Sequence, residues 1–346
     1  MLTKIIYMRT LHLPIVFLCM AVCCSCGHKP GKGTQVEKEL DRLFTDLFPA
    51  DEPGAAVLVA RGDSIVYNKG FGLARLDTRS PMTGNTMLNI ASVSKQFSAV
   101  ALCLLEEQGK LSLTQTVKDY FPHYKADFYD RITLRHLLTH TSGLPDSRDR
   151  TDREFMLYCQ EEESCGYLTD LDSLAFEPGT GYEYQNPTYQ LMLMIIEQAS
   201  GEQFDDFMRA QLFDKAGMPD AVYFEPQRSI PRMAHAYLQD PDTGVWEEHD
   251  YGEANFFGTK ADGGLYTSAE EFFRWHRALW ENRILSAGTR EAAHTGYTDT
   301  DIPDTRYGYG WFIEKRPDRP RKIYHTGDNG AFLLFEGYYP DQDLFT

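Results

Sequence analysis

The chain has 346 residues, 42% of them hydrophobic and 25% charged, and a formal net charge of -17. That length and balance give one large domain or two lobes with a sizeable core. The acidic excess excludes nucleic-acid binding, which needs a basic footprint, and offers no attraction to anionic lipid.

Lys4 and Arg9 precede an apolar run from Leu11 to Val22, broken only by His12 and Pro14. The run is too short to span a bilayer and has the layout of an export signal. It leads into Cys23-Cys24-Ser25-Cys26-Gly27, which is similar to a bacterial lipoprotein signal. Cys26, after Ser25, is the expected lipidated residue, with Cys24 and Cys23 as alternatives; a simple cleaved signal is the plainer reading. The expectation is a signal peptide over 1–25, a polar tether over 26–37 and a folded domain over 38–346. The protein is then an exported lipoprotein anchored to a membrane, on its periplasmic or cell-surface side. Of the remaining cysteines, Cys103 reads as core. Cys159 and Cys165 could close a small disulfide in an oxidising compartment, and no cysteine spacing suggests a metal.

Val36 to Phe48 reads as an amphipathic helix with Leu40, Leu43, Phe44 and Leu47 on one face. Ala55 to Ala60 and Ile65 to Phe71 are two strands around the turn Arg61-Gly62-Asp63-Ser64, hence a hairpin. Next comes Asn89-Ile90-Ala91-Ser92-Val93-Ser94-Lys95-Gln96-Phe97, followed by Val100, Ala101, Leu104, Leu105 and the stop Gly109. This is the spacing of a buried helix. Thr133 can cap a short helix, Leu134 to Leu138. His136 and His140 are four apart, but no Glu or further ligand accompanies them, so they read as structural rather than metal-binding, and no cofactor is expected. After a Pro/Gly-rich turn, helices are predicted over Tyr189 to Ala199 and Gln203 to Phe213. Thr267-Ser268-Ala269-Glu270 reads as a capping box before a further helix. Strand-like segments return at Tyr307 to Ile313, Lys322 to Gly327 and Phe332 to Tyr338. Strands first, helices in the middle and strands last imply an α+β fold: one antiparallel sheet built from both ends of the chain, flanked by helices. The helical lobe is inserted over about residues 101–289, between sheet segments at about 38–100 and 290–346.

Ser92 and Lys95 fall three apart at a helix start, on one face. A serine there lies beside unpaired N–H groups and the positive end of the helix dipole. A lysine one turn on can take its proton if burial and nearby charge lower its pKa. Alone, the pair also reads as a serine cap with a solvated lysine. Tyr184-Gln185-Asn186 and His325-Thr326-Gly327 complete a constellation that resembles the penicillin-recognising serine hydrolases, nearest the class C β-lactamase-like family. The motifs are Ser-x-x-Lys, Tyr-x-Asn and, in place of Lys-Thr-Gly, His-x-Gly. Leu137 to Leu144, Gly263-Gly264-Leu265 and Tyr307-Gly308-Tyr309-Gly310-Trp311 resemble the family too. Taken singly, Tyr184 reads equally as an aromatic anchor, Asn186 as a turn residue and His325 as a strand residue.

The resemblance implies a β-lactamase/transpeptidase-like fold and acyl transfer. Ser92 is the nucleophile, and Lys95 and Tyr184 share proton transfer, with the base left open between them. Asn186 binds a substrate amide or the Lys95 ammonium. Gly327 and Asp328 belong to the third-motif strand, and the N–H groups of Ser92 and Asp328 form the oxyanion hole. His325 stands where class C enzymes carry a permanent cation for a substrate carboxylate. A histidine is mostly neutral at pH 7, which favours a peptidase or esterase over efficient β-lactam hydrolysis. The substrate is then a peptide, amide, ester or lactam, peptidoglycan-derived material among them. A catalytically inactive relative that binds cell-wall peptides or a partner protein is the alternative. The family pattern also implies a last strand and a C-terminal helix beyond Thr346. Lacking them, the chain is expected to leave a sheet edge and an apolar face uncovered and to be less stable than its relatives.

Overall fold

The structure, a computed structural model, describes residues 34–146, 159, 161–225, 228–249 and 260–346. The expected signal and Cys26 lie outside them. Thr34 opens the first helix, α1 (Gln35–Leu47). Its side chain accepts from the Glu37 N–H at 3.2 Å, while the Glu37 carboxylate accepts from the Thr34 N–H at 2.7 Å. This reciprocal box starts the helix inside the stretch assigned to the tether. α1 buries Leu40 and Phe44 against Val59, Tyr67, Tyr339 and Leu344 of the sheet.

The sheet has eight strands: β1 (Ala55–Arg61), β2 (Ser64–Phe71), β3 (Thr298–Asp299), β4 (Thr305–Tyr307), β5 (Phe312–Glu314), β6 (Lys322–Asp328), β7 (Leu333–Tyr339) and β8 (Leu344–Phe345). Their order is β3-β4-β5-β6-β7-β8-β1-β2, antiparallel throughout. Segments from before and after the helical region therefore meet in one sheet. β8, two residues long, lies between β7 and β1 and pairs with them through Tyr338↔Phe345 and Ala60↔Phe345.

Helices α2 (Lys95–Glu107), α3 (Leu134–Leu138), α4 (Pro187–Ser200) and α5 (Ala269–Trp280) come from the middle of the chain. α2 is buried along its length from Lys95 to Leu105, so its apolar periodicity has no solvent face. Phe97 stacks on Trp275 of α5 with ring centroids 4.0 Å apart. Three local expectations are corrected. The cap of α5 is Ser268, which accepts from the Glu271 N–H, one residue later than the predicted box. Tyr307 to Ile313 is not one strand: β4 and β5 pair through Tyr307↔Phe312, and Gly308 to Trp311 makes the turn. Cys159 and Cys165 remain thiols; Cys165 donates to Gln190 Oε1 at 3.5 Å.

Candidate active site

Ser92 lies in a single 3-10 turn, Ala91–Ser94, that runs directly into α2. Ala91 takes φ +45°, a left-handed conformation that costs a residue with a Cβ about 1–3 kcal/mol. Asn89 holds it there. Its Oδ1 accepts from the Ala91 N–H at 2.8 Å and from the Asn329 amide at 3.0 Å. The turn before Ser92 is thus tied to the loop between β6 and β7. A three-stranded patch (Leu88–Asn89, Leu265–Thr267 and Val222–Tyr223) brings the Gly263-Gly264-Leu265 stretch alongside it.

Lys95 is fully buried. Its ammonium donates to Ser92 Oγ at 3.2 Å, to Asn186 Oδ1 at 2.7 Å and to the Asp262 carbonyl at 2.9 Å. The Asp262 carboxylate lies 3.9 Å away. A lysine ammonium carries three donors, and each has an acceptor here. The Nζ also lies 5.0 Å from the ring centroid of Tyr184 and 5.6 Å from that of Tyr189. Tyr184 and Asn186 are delivered by the segment entering α4, whose first turn carries Pro187 where no intrahelical N–H is needed.

His325 on β6 is buried. Its Nδ1 lies 2.7 Å from the Thr326 carbonyl, which can only accept, so Nδ1 carries the proton. Nε2 then accepts from the Tyr307 hydroxyl at 3.1 Å. Burial and the Lys95 charge hold its pKa down to about 3, against the hydrogen bond to Thr326. The residue is a neutral member of an aromatic cluster, its ring 5.0 Å from Phe312 and 6.1 Å from Tyr184. Gly327 lets β6 approach the serine turn: a Cβ there would sit 2.5 Å from the Ile90 carbonyl and 3.1 Å from the Ala91 Cβ. Asp328 ends β6 with an exposed side chain whose Oδ1 accepts from the Gly330 N–H at 2.7 Å.

The structure therefore gathers Ser92, Lys95, Tyr184, Asn186, His325 and Gly327 around one point. Sequence reasoning missed Asp262, because its carbonyl and carboxylate reach Lys95 only through the three-stranded patch. The signal available was its place directly before Gly263-Gly264. His140, read as structural, also belongs here, with its ring 4.3 Å from that of Tyr184.

An antiparallel sheet with an inserted helical segment, and a serine turn read by a buried lysine and a tyrosine, define the serine hydrolases of the β-lactamase/transpeptidase class. The chain belongs to that family: the Beta-lactamase family model matches residues 40–346. Penicillin-binding protein 4* of Bacillus subtilis (strain 168) is 31% identical over 310 residues, covering 84% of this chain and 66% of the relative. The putative penicillin-binding protein PbpX of the same organism is 28% identical, covering 75% of this chain and 62% of the relative. The chain thus spans about two thirds of the length of these relatives. Among solved structures, the octameric penicillin-binding protein homologue from Pyrococcus abyssi superposes with a TM-score of 0.80 at 26% identity, covering 90% of this chain and 72% of the other. The D-amino acid amidase from Ochrobactrum anthropi SV3 shares the fold, with a TM-score of 0.74 at 23% identity over 89% of this chain and 88% of its own.

Proposed function

We propose that this protein is a serine hydrolase working through an acyl-enzyme on Ser92, with Tyr184 as the base and Lys95 as a permanent cation. The observation that carries this is the triple engagement of the Lys95 ammonium. A lysine held as an ammonium has no lone pair with which to take the serine proton. A phenol is a weak base at its ordinary pKa near 10, but an adjacent buried cation stabilises its phenolate. Tyr184 then accepts the Ser92 proton as Oγ bonds to the substrate carbonyl carbon. The oxyanion rests between the N–H groups of Ser92 and Asp328. As the tetrahedral species collapses, the scissile bond breaks and Tyr184 returns the proton to the leaving amine or alkoxide. Water, deprotonated by the same residue, releases the acid.

The substrate is a peptide, amide or ester. A buried neutral His325 supplies no positive charge for a substrate carboxylate, which argues against efficient β-lactam hydrolysis. The names of the relatives, penicillin-binding proteins and an amidase, agree with acyl transfer to or from an amide. The leader motif supports the reading that the enzyme works outside the cytoplasm, tethered through lipidated Cys26.

Intact mass and peptide mapping after a fluorophosphonate, and separately after a penicillin, test the reading. An adduct on Ser92 that is lost in Lys95→Ala is expected, with the fluorophosphonate faster than the penicillin. No adduct on a cooperatively melting protein would replace the enzyme with a non-catalytic peptide-binding relative.

A further inference from the structure

We infer that His140 is the positioning residue for Tyr184: its carbonyl holds the backbone before the tyrosine and its neutral imidazole holds the backbone after it. The inference rests on the reading of Tyr184 as the base.

His140 follows α3 and takes φ +57°, a conformation disfavoured for any residue with a Cβ. Its carbonyl accepts from the Glu183 N–H at 3.0 Å, and its Nδ1 accepts from the Gln185 N–H at 3.0 Å. The amides immediately before and after Tyr184 thus end on one residue. The imidazole also packs against the phenol rings of Tyr184, Tyr307 and Tyr189, with centroids 4.3, 4.7 and 5.1 Å away. Backbone, ring plane and depth of Tyr184 are all set from the same residue, the backbone after the tyrosine and its ring from the His140 side chain.

The protonation state follows from the contacts. Nδ1 accepts, so the single proton is on Nε2. An imidazolium would turn Nδ1 into a donor facing the Gln185 N–H. It would also set a second cation near Lys95. Burial first, and then the Lys95 charge, push the His140 pKa well below its ordinary value. The other groups facing the ring, Tyr182, Tyr184, Tyr189 and Tyr307, are phenols.

A packing role alone does not account for this residue. Nε2 is buried with no hydrogen-bond partner among the described residues, which costs about 1–3 kcal/mol. An apolar side chain would avoid that cost but could not accept from Gln185. His136 makes the contrast: its Nδ1 accepts from the Thr133 N–H, completing the cap of its own helix.

Two substitutions compatible with φ +57° separate the roles. His140→Asn keeps an acceptor close to the Nδ1 position, whereas His140→Gly removes it. With p-nitrophenyl butyrate as probe, His140→Gly should lower kcat about a hundredfold, the scale of an ångström of misplacement, with KM little changed. His140→Asn should recover most of kcat even where its melting temperature is as low as that of the glycine variant. Equal kcat losses in the two variants, or wild-type kcat in His140→Gly, would overturn the inference. The unaltered protein gives a second readout, through nitrogen NMR of labelled histidines: the Nε2–H tautomer with Nδ1 accepting is expected, and an Nδ1–H tautomer refutes the contact. Absence of a Ser92 adduct in the wild type would sink the hydrolase reading instead, and the tautomer would still decide whether His140 holds the Tyr184 backbone.

Discussion

Lys95 and Tyr184 differ in what each can give up. Lys95 is fixed by three acceptors and is therefore valuable as a charge. On the proposed reading, Tyr184 is the group that takes and returns the proton beside it. Tyr184→Phe should consequently lower kcat by about 10²–10⁴-fold, the range of a lost general base, while the fluorophosphonate still reaches Ser92 slowly. Stopped-flow acylation rates check this, and an unimpaired Tyr184→Phe enzyme would return the base to Lys95. Gly327 acts by having no side chain. In Gly327→Ala the new methyl meets the Ile90 carbonyl at 2.5 Å, and strand β6 must retreat from the serine turn. The variant should lose about 1–3 kcal/mol in urea melts, the usual cost of overpacking, and acylate Ser92 at least about tenfold more slowly. A variant with wild-type acylation would mean that the approach of β6 to Ser92 is not what the chemistry needs.

Elements were legible where one physical signal ruled them. The β1–β2 hairpin shows as two short apolar runs around Gly62, and α4 as an apolar run entered through Pro187 and stopped by Gly201. The order of strands and helices gave the sheet built from both chain ends. Ser92, Lys95, Tyr184 and Asn186 were joined in one site by the resemblance of their motifs to a known family, which no periodicity in the chain would supply. Legibility failed where tertiary contacts decide. Gly308 to Trp311 reads as strand because its aromatics alternate with glycines, yet Gly310 takes φ +85° against the backbone of Lys95 and Gln96. The 3-10 turn at Ala91–Ser94 exists because Asn89 and Asn329 pin it, a link across most of the chain. Asp262 and His140 carry no periodic signal at all. The α2–α5 interface is the element-level test of the core: Phe97 is fully buried and lies flat on Trp275. Phe97→Ala should cost about 3–5 kcal/mol in denaturant melts, and a loss under about 1 kcal/mol would show that this stack does not anchor α2.

At the scale of the whole molecule, the sheet carries an acid where an apolar residue would be expected. Glu336 on β7 is paired with His325 on β6 and is buried against α2. Gln96 donates to its carboxyl group, and burial pushes its pKa up to about 8, outweighing the hydrogen bonds from Gln96 and Trp311. The folded protein therefore keeps a proton that the unfolded chain releases near 4.5. Between those two values the folded state binds more protons, so stability is full below about 4.5 and falls as pH rises toward about 8. His276, held down to about 3 by burial, works in the opposite direction: its contribution is full above 6.5 and is lost as pH falls toward 3. Glu336→Gln keeps an acceptor for Gln96 and removes only the first effect. Urea melts of both proteins at pH 5 and pH 8 should therefore diverge, the variant gaining on the wild type by up to about 1.4 kcal/mol per pH unit. Parallel curves would mean that Glu336 is ionised inside the fold. The slope would then have to come from groups away from the junction of β6, β7 and α2, the junction that also seats Lys95.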